Sequence, residues 1–416
     1  MDQSTLIKAK WLLPVAFPPI RDGYLIIKNR KITSIGKISH LKKKDFQKTI
    51  DFSQHIVMPG LINPHTHLEL SNLKGKIKRD TSFTQWIKGL TNEILSWGKE
   101  DYKSSINSGI DELILSGVTT IGDISRTGLS YKILENRGLR GIVFLEVLGF
   151  HPSIEKERID FLNNLIMPLD RDKRVNFGVS PHAPYSVSPD LFKESYHIAL
   201  KNRVPISIHC SETEEELEFL EKGRGEIRRM LEDFGLWDNH WTPPLISPIA
   251  YLDRIGVLKN IIGIHINLLR DGDLDLLKRG HVKVVCCLGS NRWFNRKKIC
   301  PADLLLKEGI SVSLGTDSLA SNKSLNLFDE MRLAKKIFGA LSYQKIIEMA
   351  TIEGAKALSL DKRIGSFEKD KEADMVSIEL RSNDINDPNE YIVNHAKKID
   401  FMMIGGKEIF SLKYDF

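Results

Sequence analysis

Apolar residues in this chain gather in short, nearly unbroken runs, and helix-length amphipathic stretches separate most of them. Eight runs read as buried strands: VMPGLINPHTH (57–67), GVTTIGDI (117–124), LRGIVFLEVLG (139–149), VNFGVSPHAP (175–184), VPISIHCSE (204–212), IIGIHIN (261–267), VKVVCCLGS (282–290) and ISVSLGTDS (310–318). A run without polar alternation, bounded by turn residues, suits a strand covered on both faces. Segments such as Ser104 to Ser116, Pro189 to Lys201 and Asp271 to Arg279 have helical spacing. Eight strand and helix alternations predict an α/β protein with a (β/α)8 barrel, placed at residues 59–360. The flanks are β-like, with a hairpin over Tyr24 to Ile38 and strands over Glu372 to Leu380 and Asp400 to Phe410. Residues 1–58 and 361–416 are therefore expected to form one small composite β-sandwich domain. No internal repeat or low-complexity stretch interrupts this plan.

Composition narrows the classes open to such a chain. Its 416 residues, 41% of them hydrophobic, can furnish sizeable cores. The charge balance, 60 basic against 54 acidic residues, gives +6 with the basic residues spread along the chain. Nucleic-acid binding is not implied, although the basic patch from Asn291 to Lys298 asks for an explanation. The N-terminal stretch lacks a long uncharged segment with a cleavage site, and no apolar run reaches membrane-spanning length. A cytoplasmic location is expected. Cys210, Cys286, Cys287 and Cys300 have no C-x-x-C spacing, so free thiols, mostly buried in strands, are expected.

The chemistry sits where the strands end. In an extended strand alternate side chains share a face, so His65 and His67 point together while Thr66 looks away. The fifth strand ends in His209, the sixth in His265 and the eighth in Asp317. A barrel builds its site at that rim, so these residues are expected to converge. Imidazoles and a carboxylate with one open position fit a single divalent metal ion, zinc best, with iron or manganese as alternatives.

The run "MPGLINPHTH", with "HCSE", "GTDS", "KEADMVSIEL" and the closing "MIGGK", resembles the amidohydrolase superfamily in its ring-amine deaminase and chlorohydrolase branch. The resemblance covers essentially the whole chain. It implies a metal-dependent aminohydrolase acting on a carbon–nitrogen bond of a cyclic amidine, with His65, His67, His209 and Asp317 holding the metal. The fourth strand lacks the lysine that bridges two metals in the binuclear branch, so one ion is expected. His265 and Asp317 suit the base that receives the proton of the attacking water. Glu212, three residues past His209, matches the branch's H-x-x-E proton shuttle. Glu214, Glu215 and Glu216 read as a solvated first helical turn.

The resemblance also suggests substrate contacts. His182 matches a substrate-touching position of related nucleoside deaminases, and Trp86 lies in a segment that often lids the pocket. Glu69 reads equally as a substrate acceptor or as a partner of Lys74. Arg292 and Arg296 follow the seventh strand, where Leu288 and Gly289 replace the family's proline and arginine. Those two arginines are expected to meet an anionic group of the substrate. The stretch from Phe219 to Leu258 is long for a simple connection. A helix is expected over Ser247 to Leu258, with Trp237 to Trp241 bordering the pocket or a dimer contact. Within the branch the motifs are most similar to aminodeoxyfutalosine deaminases, which make futalosine and ammonia in menaquinone biosynthesis. Deamination of adenosylhomocysteine or methylthioadenosine, or chlorohydrolase or amide chemistry on the same scaffold, are the alternatives. A binding protein on a degenerate barrel fits worse, because the ligand-type residues are all kept together with Glu212. The partner implied is a small nucleoside, with no nucleic acid or membrane, and a homodimer is expected by resemblance.

Overall fold

The computed structural model describes residues 4–42, 45–79, 81–170, 172–381 and 385–412. Its strands, in chain order, are β1 (Ser4–Leu12), β2 (Ile20–Lys28), β3 (Lys31–Lys37), β4 (Lys48–Pro59), β5 (Leu61–Thr66), β6 (Val118–Ser125), β7 (Arg140–Val147), β8 (Val175–Pro181), β9 (Ser207–Cys210), β10 (Ile262–His265), β11 (Lys283–Cys286), β12 (Val312–Leu314), β13 (Met375–Glu379), β14 (Phe401–Ile404) and β15 (Lys407–Ser411).

Strands β5 to β8 form one four-stranded parallel sheet and β9 to β12 a second, each in chain order. Single parallel bridges link them, Val179 to Ile206 at one edge and Thr66 to Asp317 at the other. Every residue of β6, β7 and β8 is buried, which accounts for runs without polar alternation. The expected helices are present as Lys99–Leu115, Pro189–Asn202 and Asp273–Arg279. Ser188 caps the second of these by accepting from Leu191 N, with Pro189 in its first turn. The long stretch after β9 carries three helices, Glu214–Lys222, Glu226–Asp233 and Pro248–Arg254. The last, capped by Ser247, sits within the segment expected to be a helix. All four cysteines are free and buried, but only Cys210 and Cys286 lie in strands. Among the described residues no helix is long and apolar enough to cross a membrane.

The remaining strands belong to one seven-stranded sheet, in the order β15-β14-β13-β4-β1-β2-β3. A composite β-sandwich was the expectation; β4 pairs with β1 on one side and β13 on the other, so hydrogen bonding joins strands from both chain ends in one sheet. The sheet instead curls on itself. Ala373 N donates to Arg30 O at 2.9 Å, and Ile27, Ile32, Phe52, Phe401 and Met403 share one apolar cluster.

Arg140 fastens this sheet to the parallel strands. At the start of β7 its side chain is 1% exposed, yet Nε donates to Asp374 Oδ2 at 2.8 Å and Nη2 to Glu372 Oε2 at 2.7 Å. The carboxylates lie just before β13. Removing one partner of a buried pair leaves uncompensated charge behind. Arg140→Met is therefore expected to destabilise the protein by about 3–5 kcal/mol. A denaturation midpoint equal to wild type would contradict this.

Candidate active site

The strand ends bring five histidines and two acids together. His67 Nε2 lies 3.3 Å from His209 Nε2, and Asp317 Oδ1 lies 3.7 Å from His65 Nε2 and 3.6 Å from His67 Nε2. The rings of His65 and His209 have centroids 4.8 Å apart, and those of His209 and His265 5.6 Å. Two overlapping triads, His65–His209–His265 and His65–His67–Asp317, each keep their ligand-type atoms within 4.8 Å of one another. Among the described residues neither ring nitrogen of His65 has a hydrogen-bond partner although the residue is 0% exposed, and His265 Nδ1 likewise has none. A buried imidazole without partners is costly unless something else satisfies it, and a cation does.

Protonation favours the same guest. Burial, reinforced by neighbouring imidazoles, pushes the pKa of His67 and His265 down to about 3 and that of His209 well below its ordinary value. Neutral imidazoles are the metal-binding form. Burial works against ionising Asp317, but contacts with His65, His67 and His265 hold its carboxyl well below its usual value. Ser290 Oγ and Ser321 Oγ donate to Asp317 Oδ2 at 2.6 and 3.0 Å, and Ser318 N donates to Oδ1 at 2.8 Å. Outer partners of this kind orient ligand atoms. The backbone is strained here: Ser211, His265, Ile266 and Asp317 have φ of +52°, +72°, +46° and +59°. Such conformations concentrate at functional sites.

Glu212 stands beside the cluster, Oε1 3.7 Å from His265 Nε2. Burial raises its pKa to about 7 while the Arg296 guanidinium pulls the other way. A carboxyl poised there can give and take a proton near neutral pH. Glu216 differs from expectation. It is 0% exposed, and its Oε2 accepts from Glu212 N at 2.7 Å. The sharp turn after β9 leaves that N–H without a sheet partner, so the helix supplies a buried acceptor instead of a solvated acid.

A cavity of about 460 Å³ opens on these groups. His67, His182, His209, His265, Glu212 and Asp317 line it with Trp86, and its apolar wall includes Leu90, Met230, Leu231, Phe234 and Leu236. His182 Nδ1 lies 2.6 Å from Ser186 Oγ, and its carbonyl oxygen accepts from His209 N at 2.9 Å. Trp86, on helix Phe83–Ile94, donates from Nε1 to Ala320 O at 3.2 Å. Glu69 also lines the cavity, but its oxygens accept from Ser125 Oγ, Arg126 N, Thr127 N and Thr127 Oγ1. Lys74 pairs with Glu112 instead, at 3.3 Å. Trp237 stacks on Phe150 and Trp241 on Phe219, and neither tryptophan is among the residues that line the cavity.

The two arginines expected at an anionic group are placed otherwise. Arg296 is bound to Glu212 at 2.6 Å, and Arg292 lines a separate cavity with Arg79, Lys323 and Lys336. Gly289 explains the change in wall sequence: a side chain there would fall 2.3 Å from Glu330 Oε1, which accepts from Gly289 N at 3.1 Å. The charged groups that do line the main cavity, and that sequence reading missed, are Arg126, Arg158 and Glu146. Arg126 Nε lies 4.0 Å from Glu146 Oε2, and burial raises the Glu146 pKa to about 7. Arg126 and Glu146 sit at the C-terminal ends of β6 and β7, where position alone was the available signal.

Known proteins fit this geometry. The family model described as "Amidohydrolase family" matches residues 56–409. A 5-methylthioadenosine/S-adenosylhomocysteine deaminase of Thermodesulfovibrio yellowstonii is 31% identical, over 92% of this chain and 86% of its own. Helicobacter pylori aminofutalosine deaminase, solved in complex with methylthio-coformycin, superposes with a TM-score of 0.81 at 26% identity, covering 98% of this chain and all of that one. An adenosine deaminase from Xanthomonas campestris with bound zinc gives a TM-score of 0.82 at 24% identity, over 98% of this chain and 92% of its own.

Proposed function

The chain belongs to the amidohydrolase family, and from that premise we propose that it is a metal-dependent deaminase of a 6-aminopurine nucleoside, with aminodeoxyfutalosine as its substrate. The observation that carries the reading is Glu212, a buried carboxyl with a pKa near 7, in one cavity with the histidine and aspartate cluster. His65, His67, His209 and Asp317 would hold one divalent ion, zinc in our reading. When bound, such an ion lowers the pKa of a water molecule toward neutrality and so supplies a nucleophile. The two four-stranded sheets then read as one closed (β/α)8 barrel over residues 59–360, with residues 1–58 and 361–416 making a composite β-domain.

The protein's own residues handle protons and orientation. Asp317 and His265 receive the proton of the attacking water, and the neutral imidazole of His265 is free to do so. Glu212 delivers a proton to the ring nitrogen beside C6 as water adds there, which prevents negative charge from building on the purine. It then takes up the hydroxyl proton of the tetrahedral adduct and passes it to the amine, the C6–N bond breaks, ammonia leaves with the 6-oxo purine as product, and the proton held on the Asp317 and His265 side returns Glu212 to its acid form. His182 borders the purine, and Trp86 closes the cavity over it.

Aminodeoxyfutalosine joins an adenine nucleoside to a benzoate, so its pocket needs an apolar wall and a cation. Leu90, Met230, Phe234 and Leu236 supply the first, and Arg126 and Arg158 the second by bidentate pairing. One observation favours a second reading. Glu146 beside Arg126 offers both signs of charge, as the amino-acid end of S-adenosylhomocysteine requires. The test offers aminodeoxyfutalosine, S-adenosylhomocysteine, methylthioadenosine and adenosine to zinc-loaded protein and follows ammonia. The highest kcat/KM on aminodeoxyfutalosine is expected, and a higher value on another nucleoside overturns the substrate. Arg158→Ala should raise KM for aminodeoxyfutalosine roughly tenfold or more while leaving adenosine little changed, since adenosine has no carboxylate. Equal effects on both would remove Arg158 from the anion site.

A further inference from the structure

Arg296 spends its hydrogen bonds on Glu212. Its Nη2 donates to Glu212 Oε1 at 2.6 Å and its Nη1 to the Glu212 backbone oxygen at 3.1 Å. The guanidinium lies over two rings, 4.6 Å from the centroid of Phe294 and 5.3 Å from that of Phe83. Its side chain is 12% exposed. Gripping both a backbone atom and the carboxylate of one residue fixes the side chain between them. Glu212 Oε2, by contrast, has no hydrogen-bond partner among the described residues. One oxygen is thus anchored and the other is left to the cavity. A shuttle serving a ring nitrogen and then an amine in one turnover needs that division, because a freely rotating carboxylate would be misplaced for both transfers. Phe83 opens the helix that carries Trp86, so the same cation ties the shuttle to the cavity wall.

Resting on the deaminase reading above, we infer that Arg296 is a positioning residue for the Glu212 shuttle and not a contact for the substrate's anionic group. It acts on turnover of every 6-aminopurine nucleoside alike. The test compares Arg296→Gln and Arg296→Lys with wild type, zinc-loaded, on adenosine and aminodeoxyfutalosine, with Tm recorded for each. Arg296→Gln is expected to lower kcat about 10- to 100-fold, by the same factor on both substrates and with KM little changed. Arg296→Lys, which keeps the charge but not the fork, should recover part of the loss. Should the glutamine variant fail to fold, the lysine variant carries the comparison, with a smaller kcat loss equal on both substrates. Unchanged kcat in the folded variants, or a loss confined to KM for aminodeoxyfutalosine, overturns the inference. Wild-type protein releasing ammonia from no aminopurine nucleoside overturns the deaminase reading itself, which the wild-type arm reports separately.

Discussion

Replacing Glu212 with glutamine is expected to lower kcat by about 10²–10⁴-fold while the metal content of the protein stays at the wild-type level. The amide is close in shape to the carboxyl and its carbonyl oxygen can still accept from Arg296, so the surrounding loops should keep their arrangement. What the amide cannot do is release and recover a proton near neutral pH. Burial sets the carboxyl's pKa near 7 against the pull of Arg296, which is where a group that must do both works best. The measurement is steady-state ammonia release alongside metal analysis and Tm. A variant with metal bound and a near-normal rate would remove Glu212 from proton transfer.

The second large effect concerns the metal. Stripping the protein with a chelator should bring ammonia release down to background, and a divalent ion, zinc first, should restore it. His65→Ala should behave like the stripped protein even with zinc in excess, because His65 belongs to both triads. Acid adds a check whose sign is fixed by the histidines. Protons compete with a metal by charging its imidazole ligands and neutralising its carboxylate; burial holds His67 neutral down to about pH 3, and contacts with the histidines keep the Asp317 carboxyl well below its usual value. Metal should therefore stay bound at pH 5, where an ordinary histidine of pKa near 6.5 would already be charged. Metal lost by dialysis at pH 5, or activity untouched by complete stripping, would refute the metal-dependent reading.

The convergence of the proposed metal residues was legible because each ends an apolar run, and in parallel strands such ends meet at one rim. His65 and His67 were further marked by their spacing, and Glu212 by its distance from His209. Less could be read for residues whose role lies in what they touch across the fold. Arg296 is 84 residues from Glu212 in sequence, and nothing around it in the chain distinguishes a buried ion pair from a solvated basic patch. Glu216 stands in a row of acids, and only the turn at Ser211–Thr213 singles it out as a buried acceptor. Glu146 lies inside a run read for its apolar content and Arg126 two residues past another, so neither was singled out. The β-flanks were recognised as strands, but which edge each would join depends on register, and register is set by contacts that a single sequence does not display.

The pairing of β4 with β13 has a consequence for how the chain matures on the ribosome. Strand β4 ends at Pro59 and β13 begins at Met375, so one edge of β4 emerges early and has no strand to receive it until the whole segment that carries the two parallel sheets has been translated. Gly60 alone separates β4 from β5, and its N–H waits for the Asp374 carbonyl. The nascent chain therefore displays His65 and His67 just after a strand with one open edge long before Asp317 exists to complete their cluster. The proposed metal residues can therefore come together only once Asp317 has been made, and a stop between Asp317 and Met375 yields a chain that carries all of them while one edge of β4 stays unpaired, a target for aggregation and quality control.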